Sequence, residues 1–263
     1  MNYGLYLAAS GALTSLYRQD LVANNLANSN TIGFKPDIAS TRQRLPERLE
    51  NPGSFIAASS DPKAMLEKLG GGVFGNPTRI SMKQGALQVT GGDLDIAIQG
   101  DGFLVISVGG DLAEENLRLT RDGRLALSPD GRLILATNGM SVLDENNQPI
   151  TLDRSAKVQI NSGGQIIQND RVVATLRLTK PQNPADLRKV GHNLMRVDAN
   201  AESGLVAASG QLLQGHLESS AADPITTLND MITATKSVQA NITMMQYHDQ
   251  VIGLSINTLG RMT

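Results

Sequence analysis

The sequence predicts an α+β chain in which long N- and C-terminal helices pair as a coiled coil around an elongated all-β middle domain of short strands and hairpins. Three observations carry this. Apolar and small residues at both ends recur at spacings that alternate between three and four. The centre carries short apolar runs separated by Asp-Gly turns. Between the first helix and those strands lies a stretch broken by proline and glycine. The expected division is an N-terminal helix over 1–34, an extended Pro/Gly-rich arm over 35–80, a β-rich domain over 81–215 and a C-terminal helix over 216–263.

In the first helix Leu5, Ala9, Ala12, Leu16, Gln19, Ala23 and Leu26 form the seam. Its small residues would let another helix approach closely. At about 1.5 Å per residue, such a helix spans roughly 40 Å. Asn28 to Gly33 should end it, because Asn and Gly tolerate the left-handed conformation of a helix C-terminus. The stretch ANNLANSNTIGFK holds Asn24, Asn25, Asn28 and Asn30. Interior asparagine costs roughly 0.5–0.7 kcal/mol against alanine. An amide in a helical seam needs a partner at one depth and so restricts register. Asn24 and Asn25 are consecutive and cannot both face one seam, so one is expected to face a second helix.

The arm carries Pro36, Pro46, Pro52, Pro62, Gly70 to Gly72 and Pro77, and reads as extended or poorly ordered. Strands follow. DLDIAIQGDGFLVIS alternates from Leu94 to Ile98, turns at Gly100-Asp101-Gly102 and continues through Phe103 to Ile106. Asp122-Gly123 and Asp130-Gly131 are each flanked by apolar residues and predict two hairpins. Further strands are expected at 142–152, 157–161, 164–168 and 171–179.

Asp223-Pro224 is a start signal for the last helix, with Asp as cap and Pro at the first helical position. Leu228, Met231, Thr235, Val238, Ile242, Met245, Asp249, Ile252, Ile256 and Leu259 then sustain the alternation, with Thr235 and Asp249 as polar interruptions. A helix this long far exceeds the usual length of roughly 11–12 residues. Two such helices at opposite ends want each other or copies of themselves.

Composition argues against chemistry. Aromatics are only 3 % of the 263 residues while hydrophobics are 40 %, so Leu, Ile, Val, Ala and Met carry the apolar content. That suits helix seams and thin sheets better than a thick enzyme core. A net charge of −2 gives no reason to expect nucleic acid. Cysteine is absent, which excludes disulfides, thiolate nucleophiles and Cys-based zinc sites. Asp93, Asp95 and Asp101 read as strand and turn residues rather than converging carboxylates. Gly100-Asp101-Gly102 opens no phosphate loop, and no Gly-Lys-Ser/Thr occurs. His192, His216 and His248 are scattered, with no metal-ligand spacing. The Asp-Gly-Arg-Leu repeat has two copies, which fits a local meander better than a repeat array. No basic leader, long apolar run or cleavage site is read, so neither a cleaved signal nor a membrane-inserted helix is expected. No catalytic residue, metal, cofactor or small-molecule substrate is implied.

Four stretches resemble one family, the axial proteins of the bacterial flagellum (rod and hook subunits). Residues 8–35, AASGALTSLYRQDLVANNLANSNTIGFK, resemble its N-terminal signature, with Asn24, Asn25, Leu26, Ala27, Asn28, Thr31, Gly33 and Phe34 in order. DLDIAIQGDGFLVIS (93–107), TRDGRLALSPDGRLI (120–134) and LLQGHLESS with the helix behind it (212–260) resemble the other three blocks. Where the family usually reads Ser-Asn-Val-Asp, this chain reads Ser220-Ala221-Ala222-Asp223. The resemblance implies a structural, non-enzymatic subunit that self-assembles through its terminal helices. The arm resembles that of the distal rod type; proximal rod, hook-type subunit and stalked adhesion module are the alternatives. The partners implied are copies of the chain, neighbouring rod or hook subunits and the flagellar export apparatus, with residence in the periplasm-spanning basal-body rod and export without a cleaved signal peptide. The assembly residues expected are Leu5, Ala12, Leu16, Asn24, Asn25, Leu26, Asn28, Gly33 and Phe34, then Leu228, Met231, Val238, Ile242, Met245, Ile252, Ile256 and Leu259.

Overall fold

The computed structural model describes residues 3–44, 71–108, 116–198 and 204–259. Helix α1 (Tyr3–Ala27) comes first, then β1 (Asp37–Gln43) and β2 (Val73–Ile80). Short strands follow: β3 (Leu87–Val89), β4 (Ile96–Gln99), β5 (Phe103–Ser107), β6 (Leu117–Thr120), β7 (Leu125–Leu127), β8 (Leu133–Leu135) and β9 (Ser141–Val142). Then come β10 (Gln159–Ile160), β11 (Gln165–Gln168), β12 (Arg171–Thr175), β13 (Leu178–Pro181), β14 (Leu187–Gly191), β15 (Leu194–Val197), β16 (Leu205–Ala207), β17 (Gln211–Gln214) and β18 (His216–Glu218). Helix α2 (Pro224–Leu259) starts directly after Asp223 and is 36 residues long. The architecture is therefore α+β, with helices at the ends and strands between.

The chain divides into two compact units. One holds residues 1–26, 37–79 and 224–263, the other 27–36 and 80–223. In the second, a nine-stranded sheet runs β14-β15-β6-β5-β9-β8-β7, with β13 paired to β5 and β16 to β13. Strand β5 is its heart. All five of its residues are buried, and alternation sends them to two cores. Leu104 and Ile106 join Ile98, Leu133, Leu135 and Ile166, while Phe103 and Val105 join Leu119, Leu143 and Met195. Separate antiparallel pairs β4–β17 and β3–β18 tie residues 87–99 to residues 211–218.

The two Asp-Gly signals part ways. Asp130-Gly131 turns the β7–β8 hairpin, in which Leu125 faces Leu135 and Leu127 faces Leu133, and Gly131 has φ +78°. Asp122-Gly123 makes no hairpin, because β6 and β7 are not neighbours. Asp122 is buried and its carboxylate takes the Arg124 guanidinium and the Thr137 hydroxyl. Gly123 is there for closeness: a Cβ would lie 1.6 Å from the Ile96 carbonyl oxygen. The strand expected over 142–152 is shorter, since after β9 the chain turns at Asn147 (φ +60°) and returns through a Leu143–Pro149 bridge.

The arm also differs from expectation at its edges. Residues 37–43 and 73–80 pair as β1 and β2, closed where the Arg44 amide donates to Gly72 and the Gly71 amide to Arg44. The remainder of the arm, 45–70, lies outside the described residues.

Replacing Ile106 by Ala should cost about 2–5 kcal/mol, because it empties volume at a site buried on every side. Val172→Ala, on an exposed strand position, should stay within about 0.5 kcal/mol. Urea unfolding followed by far-ultraviolet circular dichroism checks both.

Candidate functional site

Downstream of α1 the chain must reach the strands, and residues 28–36 do so through a buried polar cluster. The Thr31 amide bonds the Asn28 carbonyl at 3.1 Å, closing a turn directly after the helix. Gly33 then adopts φ +67°, and a Cβ on it would sit 2.3 Å from the Arg121 carbonyl oxygen. Only glycine meets both demands. Its amide donates to the Glu218 backbone carbonyl at 2.6 Å. Phe34 is buried, with the Lys189 ammonium 4.2 Å from its ring centre. Asn193 reaches across to the Ile32 carbonyl at 2.7 Å.

The next residue is Lys35, wholly buried. Its ammonium donates to Glu218 Oε1 at 2.7 Å and to the Lys83 carbonyl at 2.7 Å. Glu218 closes β18 and is itself buried, opposite Leu87 of β3. Its Oε1 also takes the Gly85 amide at 2.8 Å, and its Oε2 takes Arg121 Nη1 at 2.9 Å. The Arg121 fork is filled on its other sides by the carbonyls of Gly102 (2.7 Å from Nε) and Gly100 (2.7 Å from Nη2). The Gly-Asp-Gly turn therefore presents carbonyls to a guanidinium. Desolvation, and then the neighbouring Arg121 charge, lower the Lys35 pKa from its ordinary value, while the bond and charge of Glu218 oppose them.

One carboxylate thus stands between two cations with three donors on its oxygens. Nothing is left to reach a substrate, and Lys35 has no path to solvent, so this geometry holds the chain rather than reacting. Among the described residues no three His, Asp or Glu side chains gather as a metal site.

In the unit containing both helices, the seam residues fall on two faces. Met231, Val238, Met245 and Ile252 are half-buried, one heptad apart. The alternate seam position lies one residue earlier than the apolar pattern suggests: Thr227 and Ala234 are buried, and Asn241, His248 and Ser255 half-buried. Leu228, Ile242 and Ile256 are exposed (50 %, 38 % and 66 %), as is Leu16 (43 %). The shift corrects the expected seam. Leu5 and Leu26 are half-buried, Ala12 is buried, and the Leu259 side chain lies outside the described residues. The reason is steric: α1 presents Gly4, Ala8, Gly11 and Ala12, so the contact it forms with α2 is close and admits small or flat groups. Gln19 donates to Thr235 at 3.3 Å, and Arg18 pairs with Asp230 at 3.7 Å.

Asn25 is buried, and its amide clamps the Asp37 backbone, donating to the carbonyl at 2.8 Å and accepting from the amide at 3.0 Å. Its partner is thus the start of β1, not a second helix. Asn24 lies exposed on the helix, and Asn28 caps the turn that follows. Of the expected residues, Gly33 and Phe34 come together with Lys35, Arg121 and Glu218, three charges that the sequence reading did not single out. They are isolated, 97 and 183 positions apart, and no motif spacing joins them. The available signal was a lone Glu between apolar and small residues in HLESS.

Removing the anion should be far worse than removing one cation. Glu218→Gln leaves two buried cations facing each other and should cost about 3–5 kcal/mol, whereas Lys35→Met leaves a balanced pair and should cost distinctly less. Lys35 also predicts a pH dependence. Its pKa is lower folded than the unfolded 10.5, so the unfolded chain holds more protons between the two values. Stability should rise with pH across that window, and the Lys35→Met chain should lack that increment. All four tyrosines (3, 6, 17 and 247) belong to the helical unit. Tyrosine fluorescence and strand circular dichroism therefore separate the two units, and the second should report these losses.

Comparison with known proteins follows the same blocks. Residues 5–35 match the family described as flagella basal body rod protein, residues 97–168 the flagellar hook protein FlgE/F/G D1 domain, and residues 213–258 the flagellar basal body rod FlgEFG protein C-terminal family. The chain is 31 % identical to the flagellar basal-body rod protein FlgF of Caulobacter vibrioides over 99 % of both chains. It is 28 % identical to that organism's rod protein FlgG, over 94 % of this chain and 96 % of the relative. It is 33 % identical to the flagellar hook-basal body complex protein FlhP of Bacillus subtilis, over 94 % and 96 %.

Proposed function

The chain belongs to the flagellar rod and hook protein family, a family of structural proteins and not of enzymes, and from that premise we propose that it is a subunit of the basal-body rod that assembles with copies of itself and with neighbouring rod or hook subunits. The observation that carries this reading is the outward apolar face of α2. Ile225, Leu228, Ile232, Ile242, Val251, Leu254 and Ile256 are all exposed, large apolar groups spread around the side of α2 away from α1 that water disfavours and neighbouring chains would cover. We take the terminal helices as the assembly elements, pairing as a coiled coil in the rod. Export without signal cleavage, through the flagellar export apparatus, belongs to the same proposal. No described helix is long and apolar enough to cross a membrane.

Ile242→Asp tests it. The side chain is exposed in the single chain, so folding should be unchanged. In a polymer contact the same substitution buries a charge at about 3 kcal/mol, roughly a hundredfold rise in the concentration needed to polymerise. Val238→Asp, half-buried, should damage both the helix contact and assembly. His192→Ala and His216→Ala should polymerise normally. Sedimentation and electron microscopy read the result; a normal polymer from Ile242→Asp contradicts the proposal.

Within the rod, we assign the chain to the distal part on the strength of its Pro/Gly-rich arm, which would add contacts that stiffen a straight tube. The alternative is a proximal position, and similarity to rod proteins extends along nearly the whole chain for FlgF and FlgG alike. Replacing residues 45–70 by a short Asn-Gly turn separates the two, because Arg44 and Gly71 are already hydrogen-bonded and the joint is tolerable. A distal subunit so shortened should give curved or weakened polymers; straight ones of unchanged stiffness point to the proximal position.

A further inference from the structure

The contact between α1 and α2 has a shape that apolar pairing alone does not explain. The His248 ring lies over Gly4, where an added Cβ would stand 2.6 Å from Cε1 and Nε2. One heptad along, Asn241 lies over Gly11, where a Cβ would stand 2.9 Å from Oδ1. Two glycines seven residues apart thus receive two flat polar groups seven residues apart, in antiparallel order. Asn241 is held for this by its own helix, donating from Nδ2 to the Ser237 carbonyl at 2.9 Å. The apolar residues Met231, Val238, Met245 and Ile252 repeat every seven positions and would fit equally well after a slip of one heptad. The polar groups would not. Such a slip in one direction drives Asn241 against Arg18; in the other it puts Ala234 over Gly11 and takes the His248 ring off Gly4.

We propose that Asn241 and His248, seated on Gly11 and Gly4, set the register of α1 against α2. The lock decides which outward residues of the two helices stand side by side in the surface offered to the next copy. That last step rests on the assembly reading; the register itself is a property of the single chain. These are positioning residues, and their worth lies in excluding neighbouring registers rather than in stability. Glycine in a helix interior costs about 1 kcal/mol, which makes Gly11 costly unless shape requires it.

A chain without cysteine permits a direct test. Spin labels on Tyr6→Cys and Thr233→Cys, both exposed and well separated along the helices, report register as a distance. A slip of seven residues moves one helix along the other by about 10 Å. The labelled parent chain should give one narrow distance. Adding Asn241→Ala and His248→Ala should produce a second population while helix content is retained. Exchanging knob and notch, Gly11→Asn with Asn241→Gly, should hold the single distance, because the fit is restored from the other side. An unchanged single distance in the alanine variant overturns the proposal, as does a broad distribution in the parent. Polymerisation of the unlabelled chain, measured in parallel, keeps the two readings apart. A narrow distance in a chain that forms no polymer leaves the register lock standing and removes the assembly reading.

Discussion

Everything in the strand-rich unit that concerns the exit from α1 depends on the Glu218 carboxylate, buried between Lys35 and Arg121. It gathers four segments that are remote in sequence: the stretch after the first helix, the residues before β3, the loop after β6 and the end of β18. Each is bound by backbone as well as charge. Gly33 gives its amide to Glu218, Lys35 reaches the Lys83 carbonyl, and Arg121 takes the carbonyls of Gly100 and Gly102. Apolar residues of equal volume could match such a cluster in net stability. They could not match its directionality, because fork, carboxylate and amides meet only in one arrangement. Residues 27–36 are thereby fixed as part of the β unit although they follow directly from a helix of the other.

The helices follow a different logic. Their mutual contact adds small and polar groups to Met231, Val238, Met245 and Ile252, and the other large apolar residues of α2 are exposed. Burial of apolar surface is the main driving force of association. A chain that left so much of it exposed for no purpose would be prone to indiscriminate aggregation. In the proposed rod, that face is what neighbouring subunits cover. The polar groups of the contact supply alignment and the exposed apolar groups supply affinity.

The α+β order and the two long helices were legible in the sequence because each rests on periodicity, which is a local property, and β5 was legible as an apolar run although its burial on both faces was not. The seam was legible only in part. Met231, Val238, Met245 and Ile252 are half-buried, but Leu228 and Ile242 outbid Thr227 and Asn241 in any hydrophobic pattern, although Gly11 on α1 favours the flat Asn241 side chain. That information sits on the partner helix, more than two hundred residues away. Asn25 misled for a similar reason, since its amide seeks the backbone of β1 and not a helix. Of the cluster, Gly33 and Phe34 were visible as parts of a motif. Lys35, Arg121 and Glu218 were single charges inside stretches read for other features, and only the folded topology brings them together. Asp122-Gly123 shows the same limit, a turn signal overruled by a close approach to Ile96.

Amide hydrogen exchange on the intact chain tests the role of the Glu218 cluster most directly. The Gly33 amide bonds the Glu218 backbone and the Gly85 amide bonds its carboxylate, so both report whether the cluster opens on its own. If the cluster is integral to the β unit, these two amides should exchange only when β5 does, with the same free energy of opening. Exchange of Gly33 and Gly85 by local opening, while β5 stays protected, would contradict the account and make the cluster an attachment to the fold instead of its anchor.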